Sequence, residues 1–96
     1  MLEELGSTPD EIANSLRTAG IRGVRNTVRF LNPVVRYARK FLPDAQGIDL
    51  IQGDRLRIIF ANGTVSEVAV PEAVLRFLDG FHRGHFPDLE LPIGPG

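Results

Sequence analysis

Apolar residues recur at helical spacing near the start of the chain, directly after a helix-start signal. Thr8 suits the capping position because its hydroxyl can accept a backbone N–H, and the proline after it fits the first helical residue. Ile12 and Leu16 then form an apolar stripe, and Gly20 suits the left-handed residue that follows a helix. The pattern predicts a helix over residues 9–19.

A second start of the same kind occurs at Asn32, which is again followed by proline. Val34, Ala38 and Phe41 keep helical spacing and are expected to face inward, with the basic residues between them facing solvent. The helix is expected to end near Leu42, because the proline that follows disfavours the helical conformation in the residue before it. A second helix is therefore predicted from residue 33.

The stretch between these helices, residues 21–31, is interpreted as a loop or an extended segment because Gly20 and Gly23 flank its start. The alternative is a single helix over residues 24–42 that is kinked at Pro33. Such a helix would align four arginines on one face, but an interior proline costs about 3 kcal/mol. Those arginines are Arg25, Arg29, Arg36 and Arg39.

The middle of the chain alternates between apolar and polar residues, which is typical of strands in a sheet with one buried face. The predicted strands cover residues 48–51, 55–61 and 64–70. Asn62-Gly63 is the strongest two-residue hairpin signal, because a type I′ turn requires positive φ at both positions. Pairing across such a turn places Ile58 opposite Glu67.

A third helical pattern follows Pro71. Apolar residues from Val74 to Phe81 keep the i, i+3, i+4, i+7 spacing of a helix that lies on a sheet, and Gly84 is the expected stop. The order of elements predicts an α+β fold. It consists of two N-terminal helices, a three-stranded antiparallel β-meander, a C-terminal helix packed on one face of the sheet, and an extended tail rich in proline and glycine.

Length and composition are those of one ordinary globular domain. The 96 residues leave room for a single core, and with 43% apolar and 24% charged residues the chain lies far from disordered compositions. We predict one domain over residues 8–90, between a flexible start at residues 1–7 and a flexible tail at residues 91–96.

The composition also bears on location. There is no cysteine, which favours a reducing compartment. The first residues are acidic, unlike those of a secretory signal, and no apolar run approaches the roughly 20 residues that span a bilayer. A cytoplasmic location and no membrane partner are expected.

Charge is unevenly distributed although the net charge is only −1. No acidic residue lies between Ile12 and Pro43, whereas this stretch holds most of the basic residues, nearly all of them arginine. Arginine binds carboxylates through two parallel hydrogen bonds and is enriched at protein interfaces. The pattern predicts an acidic protein partner, or a second copy of the chain. The predicted contact residues are Arg22, Arg25, Arg29, Arg36, Arg39 and Lys40, with Arg22 at the edge.

Two other interpretations of the basic stretch remain open. The arginines could bind the phosphates of nucleic acid, with Phe30 and Tyr37 as stacking aromatics, although the net charge is slightly negative. They could also simply solvate outer helix faces, where exposed ion pairs are worth about 0–1 kcal/mol each. We favour a protein partner, which makes the chain a small adaptor or regulatory domain.

Candidate catalytic residues are few. The chain has no cysteine nucleophile and no glycine-rich phosphate loop, and its three serines have no histidine nearby in the sequence. His82, His85 and Asp88 have the residue types of a metal site, but Gly84 would break the helix needed to hold both imidazoles on one face. We therefore expect no enzymatic activity and no cofactor, with a small metal-dependent enzyme as the remaining alternative.

Four stretches, residues 8–13, 20–23, 32–39 and 77–89, together resemble a group of short, uncharacterised bacterial proteins of actinobacterial type. The chain departs from that group at Asn32, where a cysteine is expected before the proline. The resemblance implies a compact stand-alone domain and supports a helix that starts at Pro33. It supplies no catalytic or ligand-binding residue.

Overall fold

The computed structural model describes residues 1–91 of the chain and confirms the α+β fold. Three helices and one antiparallel sheet, of strand order β1-β2-β3, account for most of these residues. The elements are α1 (Pro9–Ala19), α2 (Pro33–Phe41), β1 (Ala45–Ile51), β2 (Arg55–Phe60), β3 (Val65–Ala69) and α3 (Glu72–His82), with short 3₁₀ turns at Leu2–Leu5 and Pro87–Leu89.

Helix α1 has the predicted bounds and the predicted caps. The Thr8 hydroxyl accepts a hydrogen bond from the N–H of Glu11 at 3.2 Å, and the Glu11 carboxylate accepts one from the N–H of Ser7 at 3.0 Å. Gly20 follows the helix with φ of 71°, the left-handed conformation that favours glycine. These local signals define α1 without help from the rest of the fold.

Helix α2 starts at Pro33 as predicted, and the alternative of one kinked helix over residues 24–42 is wrong. Asn32 is extended, with ψ of 134°, as the residue before a proline prefers to be. The predicted inward position of Phe41 is also wrong, because its side chain is 49% exposed and packs edge-to-face on Tyr37. Val35 is buried together with Val34 and Ala38, so these three residues form the side of α2 that faces the core.

The sheet has three strands in the predicted order, and β1 starts at Ala45 rather than at residue 48. The predicted register of the second hairpin is wrong by one residue. Ile58 lies opposite Ser66 rather than opposite Glu67. The connecting loop has three residues, because the N–H of Phe60 donates to the carbonyl of Thr64 at 2.9 Å. Gly63 has φ of 89°, whereas the Asn62 before it keeps negative φ. A turn of this kind with a glycine bulge takes one residue more than the type I′ turn.

One hydrophobic core lies between the helices and the inner face of the sheet. From the sheet it includes Ile48, Leu50, Leu56 and Ile58, and α3 adds Val74, Phe77, Leu78 and Phe81. Helix α3 has the predicted apolar spacing, and Gly84 follows it with φ of 85°. The helices therefore cover one face of the sheet, as predicted.

The N-terminal residues correct the prediction of a flexible start at residues 1–7. Leu2 and Leu5 are both buried in the core, and the carbonyl of Leu5 accepts a hydrogen bond from the Ser15 hydroxyl at 2.6 Å. The 3₁₀ turn between them packs on α1. The sequence pattern is too short to reveal this packing, because two leucines within four residues do not define a helix period.

The C-terminal segment returns to the start of the α1–α2 connection. The N–H of Gly23 donates to the carbonyl of Leu89, and the N–H of Leu91 donates to the carbonyl of Gly23, both at 2.8 Å. Leu89 is buried beneath this contact. Of the predicted flexible tail, residues 92–96 lie outside the described residues.

Candidate functional site

The loop of residues 24–31, between α1 and α2, is bonded to three other parts of the fold. Each bond uses a backbone group of the loop, so the path of the chain is constrained along its length. The N–H of Asn26 donates to Nδ1 of His82 at 2.8 Å, the carbonyl of Thr27 accepts from Nδ2 of Asn32 at 2.8 Å, and the carbonyl of Val28 accepts from the N–H of Leu50 at 2.7 Å.

This loop presents apolar side chains to solvent. Phe30 is 67% exposed and Val28 is 51% exposed. Large exposed apolar side chains that are grouped together, with a polar rim, are typical of binding surfaces. Phe30 lies next to Arg29 in the chain, and the tertiary structure places further cations beside it.

A groove of about 390 Å³ separates Phe30 from the exposed side of α2. Its floor includes Ile21 and Val35, which are both buried. Its remaining lining residues are Gly20, Phe30, Arg36, Arg39 and Lys40. The groove therefore has an apolar floor and a cationic rim.

A second depression, of about 360 Å³, is also lined by Phe30 and reaches the sheet. Arg29 and Arg39 line it together with residues of β1 and β2. The Asp49 carboxylate within it is neutralised by Arg57, whose Nη2 lies 2.7 Å from Oδ2 and whose Nε lies 3.0 Å from Oδ1. This bidentate pair raises the pKa of Arg57.

Four predicted contact residues thus meet around one aromatic ring. We call this set the basic-aromatic surface, and its members are Arg29, Phe30, Arg36, Arg39 and Lys40. None of the ion pairs formed within residues 1–91 involves these four cations. Arg39 donates to the carbonyl of Ala45, and Lys40 donates to that of Ala19 at 2.9 Å. Both acceptors are neutral, so the positive charge of the surface is not compensated by carboxylates.

The other two predicted contact residues lie apart from this centre. Arg25 is bound to Glu90, with Nε to Oε1 at 3.1 Å, and its guanidinium also lies over Gly84. Arg22 lines a neighbouring depression that contains the ion pair of Arg17 and Asp88. That depression shares Gly20 and Ile21 with the groove, so Arg22 is at the edge of the surface.

Phe30 is the member of the surface that the sequence suggested only as a stacking aromatic for nucleic acid, and not as a contact residue of the favoured protein interface. Its position in a loop, outside every predicted helix and strand, is the signal that could have revealed it. An aromatic residue within a loop either folds back into the core or stays exposed, and the sequence does not distinguish these outcomes. In the structure, hydrogen bonds hold the 24–31 loop in a conformation in which Phe30 is exposed to solvent.

The weak metal candidates His82, His85 and Asp88 are engaged separately. Nδ1 of His82 accepts the Asn26 N–H, and His85 packs against Gly80. Asp88 is bound by Arg17, and that hydrogen bond lowers the pKa of the Asp88 carboxyl. Within residues 1–91 no three histidine, aspartate or glutamate side chains are grouped closely enough to hold a metal ion.

Stability should depend on the protonation of His82. Burial lowers the pKa of this imidazole from its ordinary value, against a smaller opposing effect of Asp79. The folded state therefore favours neutral His82, whose Nδ1 must be free of a proton to accept the Asn26 N–H. The contribution of neutral His82 to the free energy of unfolding is complete above about pH 6.5 and is lost as the pH falls below that value. The free energy of unfolding falls by no more than about 1.4 kcal/mol per pH unit from this cause.

Urea unfolding of the protein at about pH 7.5, 6.5 and 5.5 measures this effect, since the carboxylates with lowered pKa values titrate only at lower pH. We expect the unfolding midpoint to fall across the series, and the fall to be much smaller in His82→Gln. A midpoint that is constant in the native protein over this range would contradict the prediction.

No known protein family, curated protein or solved structure matches the chain. The resemblance to short actinobacterial proteins stays a prediction. In the described part of the chain, no helix has both the length and the apolar character needed to cross a bilayer.

Proposed function

We propose that this protein is a non-enzymatic adaptor or regulatory domain of the cytoplasm that binds an acidic surface of a partner protein through the basic-aromatic surface. The observation that carries the proposal is the meeting of four cations, none of them in an ion pair within residues 1–91, around the exposed ring of Phe30. Guanidinium groups bind carboxylates with two parallel, charge-assisted hydrogen bonds. The lack of cysteine supports a reducing compartment.

Three features favour a protein partner over nucleic acid. The floor of the groove is apolar, with Ile21 and Val35, and so suits an apolar side chain better than a phosphate. Single-stranded nucleic acid is usually bound by several stacking aromatics along a basic track, whereas the basic-aromatic surface offers only Phe30. The net charge of −1 also gives little general attraction for a polyanion.

Reversal of charge at Arg29 and Arg36 should weaken binding to an acidic peptide. Both side chains are exposed and make no ion pair in the described residues, so the double variant Arg29→Glu/Arg36→Glu removes attraction and adds repulsion without breaking a contact of the fold. Arg39 is left in place because its guanidinium also binds the carbonyl of Ala45. We expect the affinity to fall at least about tenfold, which corresponds to about 1.4 kcal/mol.

The measurement is fluorescence anisotropy with a labelled peptide of alternating Asp and Glu, compared with single-stranded DNA and RNA of equal charge, at about 50 and 200 mM salt. The control is Arg76→Glu/Arg83→Glu, which changes the net charge equally at two exposed positions, one in α3 and one directly after it, where each arginine is in an exposed ion pair of little expected energy. The control should retain most of the peptide affinity. Equal loss in both variants would indicate attraction by net charge alone and would contradict the proposed surface.

A further inference from the structure

We infer that the partner presents a linear acidic segment with one large apolar side chain, which inserts beside Phe30 into the groove along α2. This inference rests on the proposed function and specifies which part of the partner is bound. The inference is based on how apolar and cationic side chains are arranged on the basic-aromatic surface.

The size and shape of the groove favour a single side chain as the inserted group. Its volume of about 390 Å³ is that of a small-molecule pocket, since such pockets span roughly 300–1,000 Å³. A concave site of this size holds one protruding side chain, whereas a flat globular surface would bridge over it. A segment of extended or turn conformation can deliver such a side chain.

The chemistry of the groove selects an apolar side chain. Phe30 exposes two thirds of its surface, and it lines the same groove as the apolar floor residues Ile21 and Val35. Covering this ring with an apolar side chain removes both from water, and aromatic partners gain further from edge-to-face or offset contact. A phosphate or a carboxylate in the same place would lose hydration without gaining this contact.

Cations in both depressions that Phe30 lines indicate more than one acidic residue beside the inserted side chain. Arg36 and Lys40 line the groove, and Arg29 lines the second depression. Arg39 and Phe30 line both. A segment that covers Phe30 and extends from one depression into the other therefore meets cations in each, and an acidic–apolar–acidic pattern complements this arrangement.

The 24–31 loop is bonded in the conformation that exposes Phe30. Its backbone groups bind His82, Asn32 and Leu50, which belong to or adjoin three different elements. The backbone that carries the ring is thus held in place before binding. A preorganised anchor reduces the conformational entropy lost on association.

The test uses two labelled peptides of equal length and charge, Asp/Glu sequences with either Phe or Ser at the centre, titrated by anisotropy at about 50 and 200 mM salt. We expect the native protein to bind the Phe peptide about tenfold more tightly than the Ser peptide. In Phe30→Ser this ratio should fall to about one. The matched control is Phe41→Ser, which removes an exposed phenylalanine that lines neither the groove nor the second depression, and it should keep the native ratio.

The outcomes separate this inference from the proposed function. Equal affinity for both peptides in the native protein, lost in Arg29→Glu/Arg36→Glu, would overturn the apolar anchor and leave the acidic partner. No binding of either peptide at low salt would overturn both proposals. Tighter binding of single-stranded DNA or RNA than of the Phe peptide would replace the protein partner with nucleic acid. Thermal unfolding of each variant, compared with the native protein, shows that the fold is retained.

Discussion

Replacement of Gly23 by alanine is expected to destabilise the fold by about 3 kcal/mol or more, the upper range for overpacking a close contact. A Cβ at this position would lie 2.6 Å from the backbone nitrogen of Pro33 and 2.7 Å from the carbonyl oxygen of Leu31, and it would also meet the Pro33 ring. These are backbone and ring atoms that cannot rotate away. The start of α2 or the chain at Gly23 would have to move.

Movement at Gly23 is costly because its backbone also holds the C-terminal segment. Its N–H binds the carbonyl of Leu89, its carbonyl binds the N–H of Leu91, and Leu89 itself is buried. A shift that relieves the contact with Pro33 stretches both hydrogen bonds and loosens the packing of Leu89. Relief of one contact therefore weakens another.

Urea unfolding at neutral pH measures the effect, and Gly47→Ala is the matched control. A Cβ at Gly47 would lie 3.7 Å from Cδ1 of Ile59, an ordinary contact, so we expect a change within about 0.5 kcal/mol. If Gly23→Ala unfolds at the same urea concentration as the native protein, the close approach of residue 23 to α2 is wrong. If Gly23→Ala does not fold while Gly47→Ala folds normally, the loss is at the upper end of the expected range.

Replacement of Asn32 by alanine is expected to cost about 2–3 kcal/mol, since a cap is lost and buried polar groups are left unpaired. The Asn32 side chain is completely buried. Its Oδ1 accepts from the N–H groups of Val34 and Val35, and its Nδ2 donates to the carbonyl of Thr27. One amide thus caps α2 and fixes the 24–31 loop.

Asn32→Ser separates the two roles, because its hydroxyl retains an acceptor for the first turn of α2 and does not reach as far as the amide. We expect it to lose less stability than Asn32→Ala. The control Asn62→Ala removes an exposed amide that accepts the N–H of Thr64 at 3.0 Å, and should cost about 0.5 kcal/mol or less. The urea concentrations at the midpoints of unfolding rank the three variants. If Asn32→Ala unfolds at the same urea concentration as the native protein, the role assigned to this amide is wrong.

The basic character of the candidate site follows from the sequence, but its composition does not. The stretch without acids indicates where cations accumulate, and Arg29, Arg36, Arg39 and Lys40 line the two depressions that Phe30 also lines. Arg25 belongs to the same stretch yet binds Glu90, far along the chain. Such a pair depends on how the C-terminal segment returns to the α1–α2 connection, and no local pattern contains that information.

The sequence by itself determined the helices and the strands. Helices α1 and α2 begin where a capping side chain meets a proline, and α1 ends where glycine can adopt positive φ. These signals act within one helical turn, so the rest of the fold is not needed to interpret them. Strand β2 is likewise marked by its own alternation of apolar and polar residues, whereas the first three residues of β1 carry no such signal.

The tertiary structure decided the features that depend on distant neighbours. The three-residue loop at Gly63 set the register of the hairpin, and packing buried Val35 in place of Phe41. Leu2 and Leu5 became core residues only because a hydrophobic surface was available beside α1. Phe30 remained exposed because the 24–31 loop is bonded from three sides. Burial and register are properties of the assembled fold, whereas caps and periods belong to the local chain.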